Sequence, residues 1–339
     1  MKFLFITNPP AYGTPDNEVT VSYRWAARDP RIALFHLPSA HVTGEDEVRV
    51  APVGPDLTHE TFLTLSERAT VTMPIDAFDI VFCRSRKPLP SGYLDRLGHW
   101  MDRTRFLNNP LSKKEQTSAG FMLKITPPEF LPPMLITADA VEARAFLDAF
   151  GVIVAKRPGG TGGVGVYKIW RQGRALMTDH IFEGVRAYET LEDVLAHIQD
   201  GPGHVLELVR YLPLVSEGDK RVMVIDGEIR GTFVRRSRSG HWVHNTSSSP
   251  VDCIVTDLTE HERRAIAATV PHFQARELRI LGYDFLLDDD GLWKISEVNA
   301  GNVGGMGRLE LITGKPYMTE FLTWMLEFAE RRAKAPLIA

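Results

Sequence analysis

The chain is poor in cysteine: two, Cys83 and Cys253, in 339 residues. Two distant thiols build neither a disulfide framework nor a cysteine-rich metal site, so both are expected to be reduced, in a cytoplasmic protein. Long apolar runs are also missing. No stretch approaches the ~18 residues of a membrane span. Met1 to Asn8 has one lysine and a short apolar run, too short for a secretory signal and better read as a first strand. Without secretion, the sequon Asn245-Thr246-Ser247 carries no meaning. An excess of one charge is absent too: 39 Lys and Arg face 43 Asp and Glu, a net charge of −4. That balance excludes a nucleic-acid footprint. There is no Walker A pattern, no internal repeat and no low-complexity tract.

What is present is a globular composition, 44% hydrophobic and 24% charged, at a length that fits two or three domains. Lys2–Thr7, Ile32–Leu37 and Phe78–Cys83 read as strands, with a helix at Glu18–Ala27, which predicts a parallel sheet flanked by helices. Ligands of such sheets bind beyond the carboxyl ends of strands, where Arg84, Arg86 and Lys87 follow Cys83. Residues 41–69 lack periodicity and are expected to be irregular. A second region opens near Phe121, with a helix at Ala138–Phe150, strands at Gly151–Lys156 and Tyr167–Trp170, and a helix at Leu191–Ile198. A third opens near His204, with strands at Val205–Val209, Arg221–Ile225 and Glu228–Val234, a helix over 260–281 and a terminal helix over 319–333. The expected division is 1–119, 120–203 and 204–339.

Three local patterns carry chemistry. The run Gly159-Gly160-Thr161-Gly162-Gly163-Val164-Gly165 leaves many backbone N–H groups uncovered, as a phosphate-approaching loop requires. Gly160, Gly162 and Gly165 match the dinucleotide-binding spacing, but a strand follows rather than a helix. A strand–loop–strand flap is therefore expected, with Lys156 before it to reach phosphate. Secondly, Tyr283–Leu287 and Leu292–Val298 read as a hairpin around Asp288-Asp289-Asp290-Gly291. A four-residue turn puts Asp284 opposite Ile295 and on one face with Glu297 and Asn299, an oxygen set for Mg²⁺. The three turn aspartates are expected to be solvated. Thirdly, Asp226-Gly227 is a hairpin turn that brings Arg221 near Arg235 and Arg236, where cations can neutralise a transferring phosphate.

Ala155-Lys156-Arg157-Pro158 with the glycine loop, Tyr211-Leu212-Pro213, Glu217-Gly218-Asp219-Lys220-Arg221, Asp226-Gly227-Glu228, Gly282-Tyr283-Asp284 and Glu297-Val298-Asn299 together resemble the ATP-grasp ligases of the glutathione-synthetase-like group. The resemblance implies an α/β N-terminal domain followed by an ATP-grasp fold of two α+β subdomains. It implies that Lys156, Gly160, Thr161, Gly162 and Gly163 contact ATP phosphates. Glu207, Val209, Arg210, Tyr211 and Leu212 would line the adenine pocket, with Asp219 near the ribose. Asp284, Glu297 and Asn299 would hold Mg²⁺, with Mn²⁺ as a substitute. Arg221 and Arg235 would be catalytic, and Arg84, Arg86 and Asn245 would meet substrate.

The implied activity is ATP-dependent joining of a carboxylate to an amine through an acyl phosphate, in a homo-oligomer without nucleic-acid or membrane partners. An ATP-grasp phosphotransferase and a non-catalytic ATP-binding protein are the alternatives. Departures from the family pattern cluster where substrates bind: Asn8 before Pro9, His244–Ser249, and Ala300–Gly305. The family's nucleotide-contacting lysine is absent near residue 119, leaving open whether Lys113, Lys114 or Lys124 replaces it.

Overall fold

The computed structural model describes residues 1–160, 163–199, 201, 203–244 and 250–333. Three sheets organise them. The first has the order Val71–Pro74, Glu47–Val53, Ala33–Pro38, Lys2–Thr7, Ile80–Cys83, Phe106–Leu107. Its central strand pairs in parallel with both neighbours, and only the Glu47 edge turns antiparallel. The expected parallel sheet is there. The expected irregular stretch 41–69 is not: Glu47–Val53 is a strand and His59–Leu63 a short helix. Val48 and Val50 alternate with Glu47 and Arg49, a period-two signal that Ala51-Pro52 cuts short.

The second sheet runs Gly184–Tyr188, Ala175–His180, Val166–Gln172, Val152–Lys156, Leu206–Arg210, Met134–Thr137, antiparallel throughout. Helices Ala140–Phe150 and Leu191–Ile198 cover one face and bury Ile153, Ala155, Ile169 and Leu208. The other face carries the alternate residues Val154, Lys156, Lys168 and Val209. The chain then crosses into the third sheet through 211–218. That sheet is Val251–Val255, Glu228–Ser237, Asp219–Ile225, Ile280–Leu287, Trp293–Asn299. The helix expected over 260–281 ends at Gln274, because Glu277 takes φ +54° and the chain turns into the strand at Ile280.

Both faces of the third sheet are covered. Val222, Val224 and Phe285 pack under the helix Glu260–Gln274. Met223, Ile225 and Phe233 share a core with the first sheet's Phe3 and Phe5 and with the helix Tyr317–Ala333. Asn108 pins the first sheet's end to the third: its amide donates to Ile280 O (2.8 Å) and Ala300 O (2.9 Å), and its oxygen accepts from Arg279 N and Ile280 N. The N-terminal sheet therefore meets the end of the Ile280–Asn299 ribbon.

His36, fully buried in Ala33–Pro38, lies 2.7 Å from the Tyr23 hydroxyl, and its Nε2 has no partner among the described residues. Burial pushes its pKa down to about 3. A depressed histidine stabilises the fold above its unfolded value of ~6.5, and that contribution is lost as pH falls toward 3. Urea unfolding at pH 6.5, 5.5 and 4.5 is expected to show a loss from this residue of up to ~1.4 kcal/mol per pH unit. His36→Gln should flatten the profile by that amount; an unchanged slope would show that His36 does not set it.

Candidate active site

The floor of the site is the ribbon Ile280–Leu287 and Trp293–Asn299. Its register corrects the expectation from the turn. Leu287 pairs with Trp293 and Phe285 with Ile295, then a bulge at Ser296 shifts the ladder so that Asp284 pairs with Glu297. Ile295 therefore joins Phe285 in the apolar core instead of Asp284's face. The extra residue reverses which side chains point inward, and Asp284, Glu297 and Asn299 share one face because of it. Asn299 Nδ2 donates to Asp284 Oδ2 at 3.0 Å.

The turn aspartates are not all solvated. Asp288 is buried and paired with Arg210, and Asp290 lies 3.2 Å from Lys294.

Two arginines enter the same face from the next strands. Alternation along Asp219–Ile225 sends Asp219 and Arg221 to the cleft and Lys220 to the opposite side. Arg221 grips Asp284 with Nε (2.6 Å) and Nη2 (2.9 Å), and Arg235 Nη2 donates to Asp284 Oδ1 (2.8 Å) and to Asp219. Burial raises the Asp219 pKa to about 7, with Arg235 opposing and Asp284 adding to the rise. Glu297 is reachable by solvent yet walled in by protein; burial and then Asp284's charge raise its pKa, with Lys156 opposing. Among the described residues, Glu297 is the carboxylate of this group without an ion pair. A free carboxylate, a second one beside it and an amide oxygen fit a hard divalent cation, which would relieve the crowded negative charge.

The roof is the open face of the second sheet. Lys156 pairs with Val166 and Glu207, and Val154 with Lys168 and Val209, so these side chains and Tyr211 look the same way. Lys156 Nζ reaches across to Ser296 O at 3.0 Å, joining roof to floor at the bulge. Arg210 alternates away from this face toward Asp288 and Asp289, and Leu212 is buried. The glycine run is a strand–loop–strand flap, closed by Arg157 N to Gly165 O (2.9 Å), with Gly159, Gly163 and Gly165 at positive φ and Gly160 in its turn. Thr161 and Gly162 lie outside the described residues. At the far end, Lys168 Nζ is enclosed by the rings of Trp170 (5.2 Å), Tyr211 (5.1 Å) and Trp242 (5.8 Å), and Trp242 Nε1 donates to Asp179 (2.8 Å). Trp242 thus ties the connection that follows Glu228–Ser237 to the roof.

The first sheet closes the third side. Arg84 is buried; its Nε donates to Asn302 Oδ1 at 2.6 Å and its Nη2 lies 3.8 Å from Glu18. Asn302 Nδ2 donates to the Tyr12 hydroxyl at 2.9 Å. Glu18 Oε1 accepts from Gly305 N (2.7 Å) and Gly307 N (3.0 Å) at the start of the helix Met306–Thr313. Arg86 sits 4.8 Å over the Tyr12 ring and donates to Ala11 O. Asn245 lies outside the described residues.

Tyr12 and Glu18 were not singled out by sequence reasoning; Lys87 was noted beside Arg86 at the strand end, and Asn302 within the departing segment Ala300–Gly305, both without a role. None of the three lysines considered near residue 119 reaches the ribbon's acidic face: Lys113 packs against Gly301, Lys114 pairs with Asp95 (2.5 Å) and Lys124 is exposed.

Known proteins resemble this chain over most of its length. The family described as prokaryotic glutathione synthetase, ATP-grasp domain, matches residues 121–313. The chain is 27% identical over 323 residues to the glutathione synthetase of Parasynechococcus marenigrum, covering 93% of this chain and 96% of that one. It is 25% identical over 347 residues to that of Gloeobacter violaceus, covering 97% of each. Among solved structures, D-cycloserine synthetase superposes with a TM-score of 0.64 at 16% identity, over 98% of this chain and 99% of that one. D-alanine–D-alanine ligase from Bacillus anthracis superposes at 0.61 and 12% identity, over 98% of both. The fold is that of the ATP-grasp ligases. No helix among the described residues is long and apolar enough to cross a membrane.

Proposed function

The chain belongs to the prokaryotic glutathione synthetase ATP-grasp family, and on that premise we propose how its cleft works and what enters it. It is an ATP-dependent ligase that forms a C–N bond between a carboxylate and an amine, and its family uses ATP with a divalent metal. The observation that carries the finer reading is the convergence of Lys156, Arg221 and Arg235 on the Asp284–Glu297–Asn299 face. A bound metal supplies charge neutralisation between phosphate oxygens; Mg²⁺ suits these donors, and Mn²⁺ would share them.

The base lies against Val154, Glu207, Val209 and Tyr211, with Leu212 behind it and Asp219 toward the ribose. Gly160 to Gly163 and Lys156 hold the phosphates. One oxygen of the substrate carboxylate attacks the γ-phosphorus, and ADP leaves. Arg221 and Arg235 hold Asp284 and turn their remaining N–H groups toward the transferring group. The amine then attacks the acyl phosphate carbon, phosphate departs and the nitrogen loses a proton. The glycine flap excludes water meanwhile.

Arg84, Asn302 and Tyr12, with Arg86 alongside, suit a carboxylate-bearing substrate, and Glu18 suits an ammonium. An amino acid or small peptide presents both groups. The altered segments around Asn8, Ser247 and Asn302 favour a product other than glutathione. The working division is 1–119 for substrate, 120–203 for the lid and 204–339 for catalysis, in a cytoplasmic homo-oligomer.

Phosphate release from ATP, measured with carboxylate alone, amine alone and both, tests the reading. Full release is expected only with both, one phosphate per amide. A stable phosphorylated product that needs no amine would make the protein a phosphotransferase, and nucleotide binding without turnover under every pairing would leave it a binding protein.

A further inference from the structure

The first sheet sends one more cation into the cleft. Lys87 stands three residues after Arg84, and its Nζ donates to the carbonyl of Gly159 at the start of the glycine flap. A Cβ built on Gly159 would lie 4.0 Å from that nitrogen and the same distance from Thr117 O, so the flap rests directly on the N-terminal side here. Glu297 is the acidic neighbour that acts on the Lys87 charge. The ammonium therefore sits at the flap's first glycine, within electrostatic reach of the free carboxylate of the floor. A neutral carbonyl is a weak partner for an ammonium in such a place. A phosphate oxygen arriving beneath the flap is a far stronger one.

We propose that Lys87 is a catalytic cation that exchanges the Gly159 carbonyl for an oxygen of the terminal phosphate of ATP. The inference rests on the nucleotide orientation given above. With the base at Val209 and Tyr211, the phosphates run past Lys156 and beneath the flap. The N-terminal sheet lies beyond their far end, so a side chain from it meets the last phosphate and not the first two. Lys87 is then the group through which the substrate-holding region touches the phosphate being transferred. Its charge balances the oxygens that crowd together as the carboxylate approaches.

The test needs no knowledge of the carboxylate or the amine. Binding of Mg·ADP and of the non-hydrolysable Mg·AMPPNP to the full chain is measured by calorimetry for wild type, Lys87→Met and Lys87→Arg. Lys87→Met is expected to weaken AMPPNP binding about tenfold or more, the loss of one charge-assisted hydrogen bond, and to leave ADP binding within twofold. Lys87→Arg, which keeps the charge, is expected to recover most of the AMPPNP affinity. Equal weakening of both nucleotides would make Lys87 a flap support and overturn the assignment, as would no weakening of either, or an arginine variant no better than methionine. Wild-type protein that binds neither nucleotide would instead defeat the family-based reading of the cleft, an outcome separate from these.

Discussion

Glu297→Gln is expected to lower turnover about a thousandfold, ~4 kcal/mol of barrier, with the fold intact. The electrostatics of the cleft set that size. Asp219 and Asp284 are matched by Arg235 and Arg221 in close ion pairs, so their charge is already neutralised within the protein. Glu297 supplies the negative charge left over to attract a divalent cation. The glutamine keeps the shape and removes that charge, and Lys156 across the cleft is then unopposed and repels the metal. Stability should not fall. Burial and Asp284 raise the Glu297 pKa, so its ionised form is disfavoured in the folded state, and a neutral isostere removes strain above the unfolded pKa of ~4.3. Mg²⁺ titration monitored by calorimetry, with steady-state turnover and urea unfolding of the same variant, checks all three statements. Turnover within tenfold of wild type would remove Glu297 from the metal site.

Lys220→Met should have the largest effect on stability, a loss of about 3–5 kcal/mol, while the neighbouring Arg221 remains in place. Lys220 and Arg221 are adjacent in the basic cluster, but strand alternation sends them to opposite faces. Lys220 lies beneath the helix Glu260–Gln274, 2.7 Å from Glu262, over the Trp293 ring at 4.2 Å and 3.3 Å from Asp257 O. Both partners of the ion pair are buried. Removing the lysine strands a carboxylate in an apolar interior. Glu262 also accepts from Thr259 N at 2.7 Å to cap its helix, so it cannot turn away to water without uncapping that helix. Adding Glu262→Gln to Lys220→Met should restore most of the loss, since the amide oxygen still caps and no charge is left unpaired. Chemical denaturation of the single and double variants measures both. A single-variant loss below about 1 kcal/mol, or no recovery in the double, would contradict the account.

Much of the fold was legible because its signals are local. The strand Lys2–Thr7, the helices Glu18–Arg28 and Leu191–Ile198 and the strands around the glycine run show plain apolar periodicity, and the structure keeps each within a residue or two. Strands such as Ala175–His180 and Gly184–Tyr188 were not read. Gly184–Tyr188 lies at the sheet's margin, where its mostly exposed side chains face no selection for alternation. The carboxylate trio was assigned correctly to one face by an incorrect register, because the bulge at Ser296 compensates for the extra residue in the turn.

The sequence by itself determined the chemistry available: a glycine flap preceded by lysine, an acidic ribbon, and arginines flanking a tight turn, each legible because its residues are neighbours or two apart along a strand. Only the tertiary structure decided which of those charges are free to act. Arg221 and Arg235 are bound to Asp284, Lys220 is locked under a helix and Arg210 is drawn to Asp288, while among the described residues Glu297 has no ion-pair partner and Lys87 stands at the flap. A charge's partner is set by through-space distance and local dielectric, and both come from packing segments that lie tens of residues apart in the chain.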